Sequence, residues 1–155
     1  MMSLNQVSTQ IVVGSSPKDV DDVRELEEEH RINSVLSLQT DDDLRVRNID
    51  IALLEKHYQQ REMLFKRFPI DDINPEDMAK KILSPIQYLV NQVEQGKTVY
   101  VHCNAGICRA TSTVLGYLYL HQGMKLENGL EYIRSKRPIA NPYLAAVKEA
   151  LEIGE

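Results

Sequence analysis

The chain has 155 residues, 43% of them hydrophobic and 26% charged, a composition that suits one compact domain with a genuine apolar core. Its 18 basic and 23 acidic side chains leave a net charge of −5, which disfavours nucleic acid or an anionic membrane surface as the main partner. No apolar run reaches the roughly eighteen residues of a transmembrane helix, the first residues lack the basic and apolar regions of a signal peptide, and two cysteines make no disulfide framework, so a reducing cytoplasm is the expected setting.

Gln10-Ile11-Val12-Val13-Gly14 is a β-branched run ended by glycine and predicts a strand. A charged helix opens at Pro17 and Asp19 and runs to about His30, with Val20, Val23 and Leu26 at helical spacing. Ser34-Val35-Leu36-Ser37-Leu38 predicts the next strand. The acidic Asp41, Asp42 and Asp43 and a helix from Ile51 to Tyr58 fill the interval before a strand from Leu64 to Ile70. Asn74-Pro75-Glu76-Asp77 supplies an N-cap, a proline at the first helical position and acids in the first turn. The helix it starts buries Met78, Ile82, Ile86, Leu89 and Val93, kinks at Pro85 and ends at Gly96. Thr98-Val99-Tyr100-Val101 predicts a central strand covered on both faces. Three helices, near 109–122, 125–134 and 141–153, close the chain. Strands alternating with helices imply an α/β fold: a single domain over residues 1–155, its central and mostly parallel sheet flanked by helices. No repeat, low-complexity tract or linker marks a second domain.

The segment Val101-His102-Cys103-Asn104-Ala105-Gly106-Ile107-Cys108-Arg109 carries the chemistry. It lies between a buried strand and a helix, where α/β folds bind their ligands. The five residues Asn104, Ala105, Gly106, Ile107 and Cys108 suffice to curl the backbone into a ring of N–H groups. Such a nest, backed by a helix N-terminus, binds an oxyanion with few charged side chains, so the acidic net charge is no obstacle. Arg109 adds a planar fork suited to two phosphate oxygens. A free thiol titrates near about 8.5, whereas thiols at helix N-termini or beside cations fall to roughly 3.5–7.5, so Cys103 is expected as a thiolate able to displace an alcohol from a phosphate ester. His102 either orients the loop through hydrogen bonds, or lowers the thiol's proton affinity, or is a buried histidine at a strand end.

With the preceding histidine, Gly106 and the flanking strand and helix, this segment resembles the HCx5R signature of protein tyrosine and dual-specificity phosphatases. The resemblance extends from Ile11-Val12-Val13-Gly14-Ser15 to Arg137-Pro138 and Asn141. It implies a cysteine-dependent phosphatase that needs no metal and no cofactor, and Cys103, Cys108 and His102 lack the spacing of a structural zinc site. The leaving alkoxide needs a proton from a loop carboxylic acid, and Asp71 and Asp72 are the candidates. Matching Phe68-Pro69-Ile70-Asp71-Asp72 to the family's Phe-Pro-x-x-Asp places the acid at Asp72, with Asp71 as the alternative. The resemblance then implies attack by Cys103, stabilisation by Arg109 and the loop amides, and hydrolysis of a phosphocysteine with Asp72 as base.

Two positions depart from the family pattern. Ala110 stands where relatives carry Ser or Thr, whose hydroxyl assists departure of the thiolate, so the second step is expected to be slow. Plant starch phosphatases also carry alanine there. Cys108 replaces a common glycine and gives the Cys-x4-Cys-Arg spacing of low-molecular-weight tyrosine phosphatases, which implies either a reversible disulfide with Cys103 or a small residue packed beneath the loop.

The stretch from Leu38 through Tyr58 resembles the recognition region of laforin-type and plant starch phosphatases, which implies a phosphoglucan substrate. Sugar rings need aromatic platforms, however, and the chain has no Trp and two Phe. Arg45-Val46-Arg47 and Ile73-Asn74-Pro75 stand where those enzymes place aromatics. Phosphoinositides are disfavoured by the neutral Asn104, Ala105, Gly106 and Ile107. Phosphotyrosine and phosphoserine/threonine of proteins are therefore the expected substrates, with Arg45, Arg47, Lys66 and Arg67 either adding positive potential or remaining a solvated surface set. A phosphate-reading adaptor with weak turnover is the alternative of another class.

Overall fold

The computed structural model describes residues 2–154. Its strands are β1 (Leu4–Gln6), β2 (Ile11–Gly14), β3 (Ser34–Ser37), β4 (Leu64–Arg67) and β5 (Val99–His102). Its helices are α1 (Val20–His30), α2 (Asp41–Val46), α3 (Ile51–Gln60), α4 (Pro75–Lys81), α5 (Leu83–Glu94), α6 (Arg109–Gln122), α7 (Leu126–Lys136) and α8 (Leu144–Ala150). The strands form one sheet in the order β1-β2-β5-β3-β4, parallel except for the β1–β2 pair. This is the mostly parallel α/β arrangement that the alternation of elements implied. Among the described residues no helix is long and apolar enough to cross a membrane.

β5 is central and wholly buried, with Val101 opposite Val13 on one side and Leu36 on the other. Successive side chains of a strand point to opposite faces. Val13, Leu36 and Val101 accordingly pack with Ile86, Leu89, Val114 and Leu115 of α5 and α6. Val12, Val35 and Tyr100 pack with Val23, Leu26, Leu54 and Tyr58 of α1 and α3 on the other face. Gly14, His102 and Ser37 lie side by side at the carboxyl edge. The chain leaving His102 therefore emerges between two flanking strands, the position at which open parallel sheets bind ligands.

Several local features differ from the sequence expectation. β1 is a three-residue edge strand too short and too polar to announce itself. The acidic triplet opens a helix, because Thr40 and Asp43 form a reciprocal capping box. The predicted strand to Ile70 ends at Arg67: Pro69 has no N–H, and the contact with β3 continues only as separate bonds from the Phe68 amide to Ser37 O and the Ile70 amide to Leu38 O. The helix predicted to kink at Pro85 breaks at Ile82, the residue shared by the end of α4 and the start of α5. Pro85 sits in the first turn of α5, where its missing N–H costs no bond. The last helix starts at Leu144 rather than 141, because the Asn141 amide is held by Ile107 O at 2.7 Å.

Candidate active site

The loop after β5 is held from behind, carbonyl by carbonyl. His102 Nδ1 lies 3.1 Å from Cys103 O. Asn104 O accepts from the Ser16 amide at 3.0 Å. Ala105 O and Gly106 O accept from Arg137 at 2.9 and 2.7 Å. Ile107 O accepts from the Asn141 amide and from Thr111 Oγ1, and Cys108 O from the Ser112 amide at 2.8 Å. The amides of residues 104–108 donate to no acceptor among the described residues. A peptide whose carbonyl is fixed behind presents its N–H in front, so this loop is built to receive an oxyanion. Gly106 is required: its φ is +71°, and a Cβ there would fall 2.4 Å from Gly14 O.

His102 is buried and stacks on Tyr100, and burial lowers its pKa to about 4. A neutral ring supplies no positive charge, which leaves the orienting hydrogen bond and the buried strand-end histidine among the three readings of the sequence. Cys103 is buried and Cys108 half-buried, and both are free thiols. Burial, then the neighbouring Cys103, pushes the Cys108 thiol up to about 11. Thr111 spends its hydroxyl on the carbonyls of Ile107 and Cys108. With Ala110 buried beside it, no side-chain hydroxyl donates to Cys103 among the described residues.

Arg109, only 1% exposed, is held at one end. Its Nη1 donates to Asp43 Oδ2 at 2.6 Å and to Ile70 O at 2.8 Å. Its Nε and Nη2 are buried and have no hydrogen-bond partner among the described residues. Two adjacent donors left open on a fixed guanidinium match the spacing of two phosphate oxygens. Asp43 also accepts from Asn104 Nδ2 at 2.9 Å, and Asn104 Oδ1 accepts from Gln39. Burial of Asp43 opposes its ionisation, but the bonds from Arg109, the Thr40 amide and Asn104 prevail and lower its pKa to about 2.

The structure brings Asp72 to this centre. Its Oδ1 is 3.5 Å from Arg109 Nε and its carboxylate is 43% exposed at the mouth. Asp71 is exposed and engages Asp77 through its backbone amide. Between Asp72 and the cap residue Asn74, Ile73 adopts φ +52°, rare for a β-branched residue, with its side chain 82% exposed. Arg45 and Arg67 are paired with Asp42 and Asp41, and Lys66 lies over Phe68. Their charge is engaged locally rather than aimed at the loop. Sequence reasoning missed Asp43, Gln39 and the contacts of Arg137. The only local signal for Asp43 was the Thr40-x-x-Asp43 capping pattern.

The catalytic-domain family model for dual specificity phosphatases matches residues 15–153. The chain is 28% identical over 148 residues to laforin of Mus musculus, covering 88% of this chain and 44% of that protein. It is 28% identical over 154 residues to the amyloplastic phosphoglucan phosphatase DSP4 of Castanea sativa, covering 96% and 40%. It is 31% identical over 98 residues to dual specificity protein phosphatase 4 of Gallus gallus, covering 63% and 25%. The chain thus spans less than half the length of these curated relatives. Among solved structures, PTPMT1 matches with a TM-score of 0.77 at 18% identity, covering 97% of this chain and 92% of that one. The human tyrosine phosphatase-like serine/threonine/tyrosine-interacting protein matches at 0.76 and 20%, covering 96% and 93%. Both show a shared fold. The loop, its buried arginine and the family match together establish that this chain belongs to the dual specificity phosphatase catalytic-domain family.

Proposed function

We propose that the protein hydrolyses phosphotyrosine and phosphoserine/threonine esters of proteins through a phosphocysteine intermediate. In the first step a lone pair of the Cys103 thiolate forms the S–P bond. The P–O bond to the leaving group breaks, and its electron pair takes the proton of Asp72. The free Nε and Nη2 of Arg109 and the amides of residues 104–108 hold the three equatorial oxygens. In the second step water gives a proton to the Asp72 carboxylate and its oxygen bonds to phosphorus as the S–P bond breaks. Phosphate and the Cys103 thiolate are the products. The observation that carries this reading is the open pair of donors on Arg109 with Asp72 beside it.

The protein substrate is supported by the surroundings of the loop. Ile73 and Ile107, which flank the acid and line the loop, and Ile139 beyond α7 all expose apolar side chains. Both phenylalanines are engaged with other rings, Phe65 on Tyr58 and Phe68 on Tyr88, and offer no free platform to a sugar. A phosphoglucan is the second reading, favoured by the matches to laforin and DSP4, which take in 88% and 96% of this chain. A panel of phosphotyrosine peptide, phosphothreonine peptide and phosphorylated amylopectin decides between them. Higher kcat/KM on either peptide is expected, and preferential release from amylopectin would reverse the assignment. Burst kinetics with p-nitrophenyl phosphate separate an enzyme from an adaptor. An adaptor would release no product while its Cys103→Ser variant bound phosphopeptide.

A further inference from the structure

A groove leaves the mouth of the phosphate site on the side of the acid, and both of its walls are anchored there. One wall is α4, which starts at Pro75, three residues beyond Asp72. Ile73, 82% exposed, joins Asp72 to that wall. The other wall is α8, which starts at Leu144. The segment just before it is tied to the loop and to α6: the Asn141 amide donates to Ile107 O at 2.7 Å, and the Tyr143 amide to Ser112 Oγ at 2.9 Å. Between the helices lies a cavity of about 350 Å³, floored by Ala79, Ala145 and Ala146 and walled by Glu76, Lys80 and Glu149. Alanine side chains let an extended backbone come close to the helices. Glu76 and Glu149, and Asp71 at the entrance, are exposed, and among the described residues none of the three forms an ion pair. On the β3 side of the mouth Arg45 and Arg67 are already paired with Asp42 and Asp41. The uncompensated charge beside the site is therefore negative, and it lies along the groove.

We propose that this groove seats the polypeptide flanking the phosphorylated residue and selects a lysine or arginine about three to five residues away from it. The spacing follows from reach. Three residues from Asp72 to Pro75 span at most about 10 Å, and the helix from Glu76 to Lys80 adds about 6 Å, while an extended peptide advances about 3.3 Å per residue. Lys80 stands towards the far end, so the acids at 71 and 76 meet the basic residue first. Complementary charge of this kind sets preference among substrates, each exposed pair changing affinity by no more than about fivefold. The inference deepens the protein-substrate reading and rests on it.

The test uses phosphotyrosine peptides of one sequence that carry arginine, glutamine or glutamate three and four residues from the phosphotyrosine, N-terminal to it in one set and C-terminal in the other. Values of kcat/KM are measured for wild type, Glu149→Lys and Glu76→Lys/Glu149→Lys. p-Nitrophenyl phosphate, too small to enter the groove, reports on the catalytic centre alone. In one of the sets wild type is expected to prefer arginine over glutamate by about tenfold, through KM, and less so at high salt. The double reversal is expected to abolish or invert that preference while its rate on p-nitrophenyl phosphate stays within about twofold of wild type. Glu149→Lys, on α8 and remote in sequence from the acid, should lose part of the preference and decides the matter if the double variant does not fold. An arginine-to-glutamate ratio within about twofold in both sets, or a preference that survives reversal, overturns the proposal. So does a reversal that alters release from phosphorylated amylopectin and leaves the peptide ratio unmoved, which assigns the groove to a glucan. The protein-substrate reading is judged separately, by peptide against amylopectin in wild type, because its failure lowers all peptide rates alike and leaves their ratio intact.

Discussion

Asp43 and Arg109 form a buried ion pair, Oδ2 to Nη1 at 2.6 Å, that joins the first turn of α2 to the first residue of α6. Because Asp43 also holds Asn104, one carboxylate fixes both the charged end and the first residue of the loop. Asp43→Asn keeps the shape and removes the charge. It should cost about 3 kcal/mol of stability, as breaking buried pairs does, and lower kcat/KM by about tenfold to a hundredfold through misplacement of Arg109. Urea unfolding and p-nitrophenyl phosphate kinetics measure the two effects. Unchanged kcat/KM in a folded variant would show that Arg109 is positioned without it.

Asp72, and not Asp71, should behave as the acid. Asp72→Asn is expected to lower kcat on phosphotyrosine peptide by about 10²- to 10⁴-fold, and much less on p-nitrophenyl phosphate, whose leaving group needs no proton. Asp71→Asn should leave both rates near wild type. The opposite pattern would transfer the role to Asp71.

Two groups make the fold acid-sensitive in separate windows. His102 is neutral in the folded protein with its pKa lowered to about 4, whereas the unfolded chain protonates it near the ordinary value of 6.5. Between those values the unfolded state binds more protons, so stability falls as pH drops from 6.5 towards 4. Asp43, lowered from 3.8 to about 2, adds a second loss as pH falls through that range. The Asp43 contribution is on the order of 2 kcal/mol. Melting temperature followed against pH should show the first decline in wild type and lose it in His102→Asn. Persistence of that decline in the variant would assign it elsewhere.

Ala110 should make breakdown of the phosphocysteine the slow step. Thr111 cannot replace the missing hydroxyl, since its own is bound to the Ile107 and Cys108 carbonyls. Ala110→Ser places a donor at the start of α6 and should raise the steady-state rate by about tenfold or more, as one hydrogen bond to a charged group would. The pre-steady-state burst of the wild type should shrink accordingly. A wild type with no burst would place the slow step before the intermediate.

Cys108 tests the redox reading. Peroxide converts the Cys103 thiolate to a sulfenic acid with loss of water or hydroxide, and attack by the Cys108 sulfur then expels water and forms the disulfide. With its pKa at about 11, Cys108 is protonated at neutral pH, so disulfide formation should accelerate as pH rises. Mass spectrometry after mild peroxide should find the intraloop disulfide in wild type and sulfinic Cys103 in Cys108→Ser. Sulfinic Cys103 without a disulfide in wild type would falsify the shielding role.

The sequence alone is enough to place the loop from Cys103 to Arg109, because every part of it is contiguous. An apolar strand before it, a glycine that takes positive φ and a helix after it point to an anion nest from local sequence alone. The alternation of strands and helices likewise determines the parallel sheet, since β-branched runs and helical spacing are local signals. What the loop rests on is decided only by the tertiary structure. Asp43 lies 66 residues from Arg109 in the chain, and Asn5 and Ser3 lie 132 and 134 residues from Arg137. Isolated polar residues at such separations carry no periodicity that marks them as partners. The reason they meet is topological: β5 sits between β2 and β3, so the segment leaving β3 converges on its carboxyl end, and β1, antiparallel to β2, begins at that same edge. There the sheet, rather than any motif, chooses which side chains hold the loop.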